Sequence, residues 1–316
     1  MGKTPAIAAI GELLVEFVSH QRNCGLSKIS DYSGPYPSGA PAIFLDQAAR
    51  MGARTEMVGG VGKDGFGQSV LSRLEADGVG TSGVTRHANH TTGVAFVSYY
   101  DDGTRDFIFH MANTASDHFV VPETLLDPAN TILHVSAASL GNAKMRDMIM
   151  QTLRRVDAAG GKICCDPNAR PELMRDGAVR IALTETIERS TYLMPSTSDL
   201  KFLFPDLSEE EAIEQLLTSK AEVIVIKRGS AGATVISGSE RHEYAGHAVE
   251  EIDPTGAGDC FGGTFISLLA LGGTLKDAGE RANAAGALAV TRRGPMEGNS
   301  SPAEITAFLK LQTART

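Results

Sequence analysis

The feature that most restricts the fold is a beat. Short apolar runs alternate with helix-patterned stretches along most of the chain. Residues 7–10 read as a strand, 42–51 as a helix, 55–58 as a strand, and 66–76 as a helix carrying Leu71 and Leu74 on one side. The beat resumes with a strand at 131–135, a helix at 145–158, a strand at 162–165, a helix at 178–188 and a strand at 192–194. A strand at 222–227 and helices at 259–270, 275–291 and 303–311 complete it. Such a chain is expected to be α/β around a mostly parallel sheet, because each parallel pair needs a crossover long enough to hold a helix. By length alone, 316 residues correspond to about two average domains.

Two stretches break the beat. Residues 93–100 and 105–110 are rich in β-formers and meet across Asp101-Asp102-Gly103-Thr104, a hairpin signal. Residues 27–36, with Gly34, Pro35 and nearby Pro37, supply another short β element. A small sheet inserted into the core by two excursions accounts for both, and such a piece is suited to cover a pocket.

Composition narrows the partners. Lys and Arg number 29 against 38 Asp and Glu, a net charge of −9, which argues against a broad nucleic-acid surface. With 42% hydrophobic and 21% charged residues, the chain has the balance of a soluble globular protein. No apolar run approaches the roughly 18 residues of a membrane span, and the first ten residues read as a strand, not a leader. Cys24, Cys164, Cys165 and Cys260 make no C-x-x-C pair, so a cytoplasmic protein with reduced thiols is expected. Glycine is over-represented: 34 of 316, about 11% against a usual share of about 7%.

Part of that glycine is concentrated where chemistry is expected. In residues 251–265, Gly256, Ala257 and Gly258 lead into an apolar helix with Asp259 directly after them. Small residues let backbone N–H groups approach a ligand, and a helix N-terminus favours negative charge. A carboxylate beside such an anion hole suits phosphoryl transfer, the acid taking a proton from the attacking hydroxyl. Asp259 equally fits an acid that merely complements its own helix dipole, and spacing does not decide between the two. Gly60-Val61-Gly62-Lys63-Asp64-Gly65 satisfies G-x-G-x-x-G, but the ribose-binding acid expected about 20 residues on is missing. Lys63 is followed by Asp64, so there is no Walker A either. His87 and His90, and His242 and His247, have ligand-like gaps without supporting acids or cysteines, and read as solvated loop residues.

Segment 251–265 closely resembles the second signature of the ribokinase-like (PfkB) sugar kinases, D-[TP]-x-G-A-G-D. Five more segments match that family in order. Gly11-Glu12-Leu13-Leu14-Val15-Glu16 resembles its first strand, which ends in an acidic sugar-contacting residue. Ser38-Gly39-Ala40-Pro41-Ala42 with residues 59–67 resembles the first signature, and Asp166-Pro167-Asn168-Ala169-Arg170 the D-x-N-x-R segment. Residues 227–232 resemble the nucleotide-side loop and residues 283–294 the late helix.

The resemblance implies one ribokinase-like domain over 1–316. Its three-layer α/β/α core has a central, mostly parallel sheet, with a β-sheet lid from about 12–37 and 91–113 that also joins a homodimer. It implies ATP-dependent phosphorylation of a primary hydroxyl of a small sugar, with Asp259 as base and Gly256, Ala257 and Gly258 as anion hole. Glu16, Gly39 and Asn168 would face the sugar, and Arg170 the phosphoryl group or the sugar. Lys227, Gly229, Gly232 and Asn283 would line the nucleotide. Mg²⁺ would travel with ATP, Asp199 acting through water, and Asp253 with carbonyls near Thr255, Ala289 and Gly294 would hold a monovalent cation such as K⁺.

Three departures bear on the substrate. Ile43 stands where the family usually has a sugar-binding Asn, and Ser196-Thr197-Ser198-Asp199 where it has N-x-x-E. Met111 follows Phe109-His110 where many relatives, ketodeoxygluconate kinases among them, carry an Arg in the lid. An acidic sugar would want that charge. A neutral ketohexose, as in fructokinases or tagatose kinases, is therefore expected. A kinase of 2-keto-3-deoxygluconate and a catalytically silent sugar-binding relative remain as alternatives.

Overall fold

The computed structural model describes residues 4–169 and 173–313. β1 (Ala6–Ile10) is buried at every position, as a strand covered on both faces must be. The chain then leaves the core to form β2 (Leu14–Ser19) and β3 (Tyr32–Ser38), and α1 (Ala40–Arg50) brings it back. β4 (Thr55–Gly62), α2 (Gly65–Ala76) and β5 (Gly80–His87) follow. A second excursion makes the hairpin β6 (Gly93–Tyr99) and β7 (Arg105–His110). Core elements resume with β8 (Thr131–Ser136), α3 (Ala143–Ala158), β9 (Lys162–Asp166), α4 (Gly177–Arg189) and β10 (Tyr192–Leu193). They end with α5 (Thr197–Leu203), α6 (Glu209–Leu217), β11 (Val223–Lys227), β12 (Gly232–Ser237), β13 (Glu240–Ala245), α7 (Ala257–Ala270), α8 (Leu275–Ala289) and α9 (Pro302–Thr313).

Among the described residues the core sheet runs β13-β12-β11-β10-β9-β8-β1-β4-β5. It is parallel from β11 to β5, with β12 and β13 antiparallel at one edge. Alternating side chains give the strands two apolar faces. Leu133, Val135, Ile163, Cys165, Ile224 and Ile226 pack with Leu153 of α3, Leu183 of α4 and Ile213 of α6. Ile132, Cys164, Val223 and Val225 pack on the other side with Phe44 of α1, Phe265 of α7 and Ala282 of α8. The result is a three-layer α/β/α core. A separate four-stranded sheet, β3-β2-β6-β7, holds both excursions, with β2 parallel to β6.

Several elements differ from the sequence expectation. β1 stops at Ile10, so Glu16, read as the end of the first strand, lies inside β2 of the small sheet. The turn follows from crowding at Gly11, where a Cβ would lie 2.4 Å from Pro41 Cγ and 2.7 Å from Ser139 Oγ. β4 runs on past 58 through three glycines, because at Gly60 the Ala115 carbonyl would sit 2.2 Å from a Cβ. β5, β12, β13, α5 and α6 had no counterpart in the expectation. α5 and α6 nevertheless begin on capping boxes, Ser196 with Asp199 and Ser208 with Glu211, a signal the sequence carries at S-x-x-[DE] spacing. No helix among the described residues is long and apolar enough to cross a membrane.

Candidate active site

The carboxyl ends of the parallel strands bring the chemistry together. β9 ends at Asp166 and β11 at Lys227, and strand alternation points both toward the layer holding α1 and α7. Lys227 Nζ lies 2.5 Å from Asp166 Oδ2, with both side chains largely buried. Burial works against the ammonium charge, but Asp166, then Asp199 and Asp259, outweigh it and hold the Lys227 pKa above its ordinary value. Directly beside this pair is the start of α7. A Cβ on Gly258 would be 3.3 Å from Lys227 Nζ and 3.9 Å from Asp166 Oδ2. No side chain caps α7: Gly256 holds the cap position with φ of 82°, and Asp259 sits in the first turn. Uncapped backbone amides, a neighbouring ammonium and a carboxylate at their edge suit a transferable anion and the hydroxyl that attacks it.

The segment after β9 is braced. Asn168 adopts φ of 36° and its N–H donates to Asp166 Oδ1 at 3.2 Å. Ala169 N–H donates to Asp199 Oδ1 at 2.7 Å. Ser196 donates to Asp199 Oδ2 from its N–H at 2.7 Å and from its hydroxyl at 2.6 Å. Asp199 therefore positions backbone with both oxygens, and it fits a hydrated divalent cation reached through water better than a directly bound one. Arg170 lies outside the described residues.

On the small-sheet side, Glu16 is buried and accepts from Ser38 Oγ at 3.4 Å, one residue before Gly39. Gly39 is the N-cap of α1, with φ of 118°, and only glycine fits there because a Cβ would be 2.2 Å from the Glu12 carbonyl oxygen. The Glu12 carboxylate accepts from Ala40 N–H at 3.2 Å and Ser139 Oγ at 2.6 Å, tying the two halves of the cleft floor. Met111 sulfur packs against Gly93 at the start of β6. Ile43 is buried beneath the α7 turn, where a Cβ on Gly256 would meet its Cγ2 at 3.2 Å.

The four residues read as a nucleotide lining do not form one group. Gly229 and Gly232 flank the short turn between β11 and β12, and a Cβ on Gly232 would be 1.9 Å from the Tyr244 carbonyl oxygen. Asn283 on α8 donates to the Ala245 carbonyl at 2.8 Å, securing the end of β13. Lys227 instead turns its ammonium to Asp166 and the α7 start.

The set expected for a monovalent cation has Asp253 as its charged ligand. Asp253 is wholly buried, and both its oxygens are engaged: Oδ1 by the Tyr99 hydroxyl at 2.5 Å and Thr255 N–H at 3.0 Å, Oδ2 by Gly294 N–H at 2.9 Å. Ala289, at the end of α8, has its carbonyl oxygen 2.3 Å from where a Cβ on Gly298 would be. With about four lone-pair sites on a carboxylate and one donor on Oδ2, Asp253 keeps room for a monovalent cation beside its three protein donors. Elsewhere His87, His90 and His118 form a ring cluster, His90 stacking on His118 at 3.6 Å, which differs from separate solvated loop residues. Asp166 as ion partner, Glu12 and Tyr99 were not singled out as site residues. Asp166 opens the D-x-N-x-R segment, a usable signal, whereas Tyr99 had none.

The family model for pfkB family carbohydrate kinases matches residues 5–302. The chain is 40% identical to a protein described as "putative Ribokinase II" in complex with ATP and Mg²⁺ from E. coli, with a TM-score of 0.92 over 97% of this chain and 99% of that one. It is 28% identical to a probable fructokinase-5 of Arabidopsis thaliana, covering 98% of this chain and 99% of the relative. A fructokinase of Vibrio cholerae O395, solved with fructose, ADP and calcium ion, is 25% identical with a TM-score of 0.82, over 98% of this chain and 100% of that one.

Proposed function

The chain belongs to the pfkB family of carbohydrate kinases, and from that membership we propose that it transfers the γ-phosphoryl group of ATP to a primary hydroxyl of a small neutral sugar, a ketohexose of the fructose or tagatose kind. The observation that carries the reading is the uncapped start of α7, with Asp259 in its first turn and the Asp166–Lys227 pair alongside. Asp259 takes the proton of the attacking hydroxyl. The amides of Ala257 and Gly258, with Gly256 shaping the turn, stabilise charge on the phosphoryl group. Lys227 adds positive charge at the same point. Glu16, Gly39 and Asn168 bind the sugar, the small sheet closing over it as a lid, and Arg170 faces the phosphoryl group or the sugar. Gly229, Gly232 and Asn283 shape the nucleotide side. Mg²⁺ arriving with ATP neutralises phosphate charge, with Asp199 acting through water.

Met111 supports a neutral substrate, since a carboxylate beside its apolar side chain would lose water without gaining a charged partner. A monovalent cation such as K⁺ would be held by Asp253 with carbonyls near Thr255, Ala289 and Gly294. A cytoplasmic location accords with the use of ATP, and a second copy of the chain covers the exposed edge of the lid. The test is sugar-dependent ADP release by the wild type and Asp259→Asn, which keeps size and removes the proton acceptor. The variant should retain Mg-ATP binding and lose about 10²–10⁴-fold in kcat, the usual worth of a positioned base. Near-normal turnover in a folded variant would remove Asp259 from the mechanism.

A further inference from the structure

The second excursion leaves the core after β5 and returns before β8, and its two crossings are tied to each other. On the way out, His87 ends β5 and His90 lies in the loop that leads to β6. On the way back, His118 directly follows the short 3₁₀ turn Ala115–Asp117. Their rings meet. His90 stacks on His118 with centroids 3.6 Å and planes 17° apart, and His87 stands edge-on to both at 5.6 and 6.0 Å. The backbone joins at the same place: Ala115 N–H donates to the Thr91 carbonyl at 2.9 Å, and His90 Nδ1–H to the Asn113 carbonyl at 3.2 Å. Asp64, the N-cap of α2, anchors the outward crossing to the core by accepting from Thr92 N–H and from its hydroxyl, both at 2.8 Å.

The surroundings do not favour positive charge on these rings. All three are half-buried, and His87 Nε2 is buried with no partner. Asp117 draws His118 toward the charged form, but its carboxylate already accepts from Asn113 N–H at 2.7 Å and from Asn142. Lys144 of α3 acts in the opposite sense. From the corner between β4 and α2 come Lys63, whose N–H donates to the His87 carbonyl at 2.7 Å, and Asp64, which also accepts from Gly67 N–H at 2.8 Å. Arg86, beside His87 on β5, turns to Gln68 at 2.9 Å. Burial, then His90 and Lys144, then His87, outweigh Asp117 and lower the His118 pKa.

We propose that His87, His90 and His118 form a pH-sensitive clasp that seats the small sheet, closed while the rings are neutral and opened by their protonation. The consequence for sugar binding rests on the kinase reading above, in which that sheet is the lid. Among the described residues no set of His, Cys, Asp or Glu is arranged to hold a metal ion, so the cluster's chemistry is stacking and charge. Neutral flat rings attract when stacked, whereas two like charges at that separation repel. A histidine whose pKa in the closed form lies below its ordinary 6.5 binds fewer protons closed than open. Closure is therefore fully favoured above about pH 6.5 and loses ground as pH falls below it. With the clasp open, the hairpin β6–β7 keeps its pairing with β2 and the Asp64 anchor but loses the tie between its two crossings. Sugar affinity then falls with the fraction of chains that remain closed.

The test uses the full chain. His118→Phe keeps a flat ring against His90 and cannot take a proton, and an imidazolium at 90 is still tolerated over it. His118→Asn removes the ring as well, and His242→Gln, on β13, is the control for a distant histidine. Amide protection factors over residues 88–93 and 111–118 are read first, at about pH 7.5 and about pH 5.5, because they need no substrate. Wild type and His242→Gln should lose about threefold or more of that protection on acidification. His118→Phe should stay protected at both pH values, and His118→Asn should be loose at both. With the preferred sugar, the wild-type sugar KM should rise by about the same factor relative to His118→Phe at the lower pH, with the KM for ATP changed far less. Equal wild-type protection at both pH values, acid loosening of His118→Phe to the wild-type extent, or acid loosening with an unchanged sugar KM in an active enzyme would each overturn the proposal. A chain that shows the expected exchange pattern but phosphorylates no sugar would keep the clasp and lose the kinase reading.

Discussion

Gly258 adopts backbone angles open to any residue, so its missing side chain is a matter of space, not of conformation. A methyl group alone would fall 3.3 Å from the Lys227 ammonium. Gly258→Val adds a stiff, branched group in that gap and screens the amides from an incoming phosphoryl group. The expected result is a kcat lowered by about 10²–10³-fold, the cost of losing one such donor, in a protein with a near-normal melting temperature. Wild-type turnover would mean that the amides do not stabilise the transferred group. Gly256, Gly258 and Asp259 could be placed at the start of a helix from the sequence, because small residues there lead directly into an apolar run. The Asp166–Lys227 pair could not, since its partners are 61 positions apart and meet only through strand order.

Among the elements, α1, α2 and the loop at 294–300 form one brace behind the turn that enters α7. Asn299 donates to Asp46 at 2.5 Å, Gln47 and Ser300 exchange two hydrogen bonds, and Arg73 of α2 reaches the Met296 carbonyl at 2.7 Å. Asp46 sits wholly buried at its centre. Burial pushes its pKa up to about 7 against the pull of Arg73, while for Asp77 burial is outweighed by the Asp46 hydrogen bond and by Arg73 and Arg50, which hold it low. An acid whose folded pKa exceeds its unfolded value of 3.8 binds an extra proton on folding. Asp46 thus makes stability fall as pH rises from about 4 to about 7, with the loss complete above that range. Asp46→Asn should flatten this part of the profile, read as urea midpoints at about pH 5 and pH 8. An unchanged slope would show that Asp46 is ionised throughout. The long helices and buried strands were readable because burial on both faces or on one stripe writes itself into the apolar pattern. β5 and β13 were not, since much of each is exposed or half-buried at a sheet edge and the polar residues there blur the period.

At the scale of the molecule, the core sheet gathers the candidate site at the carboxyl ends of its strands, and the small sheet is its proposed cover. β7 is the outer strand of that cover, with Ile108 and Phe109 exposed at 43% and 49%. An unpaired edge carrying large apolar groups is a liability unless something covers it, and a second copy is the simplest cover. If a lid-edge dimer forms as proposed, wild type should sediment as a dimer and Phe109→Glu as a monomer; a monomeric wild type or an unchanged dimer mass in the variant would remove the lid edge as an interface. The two excursions were visible in the sequence as breaks in its beat, but their register and the reach of Tyr99 back to the core depend on how the sheets stack.

The proposed kinase selects a neutral sugar, with Met111 where a charged contact would serve an acid. The most direct test compares kcat/KM for fructose, tagatose and related ketohexoses with that for 2-keto-3-deoxygluconate under saturating Mg-ATP. A neutral ketohexose should be preferred by at least tenfold, about 1.4 kcal/mol in the transition state. A preference of that size for the acid would contradict it.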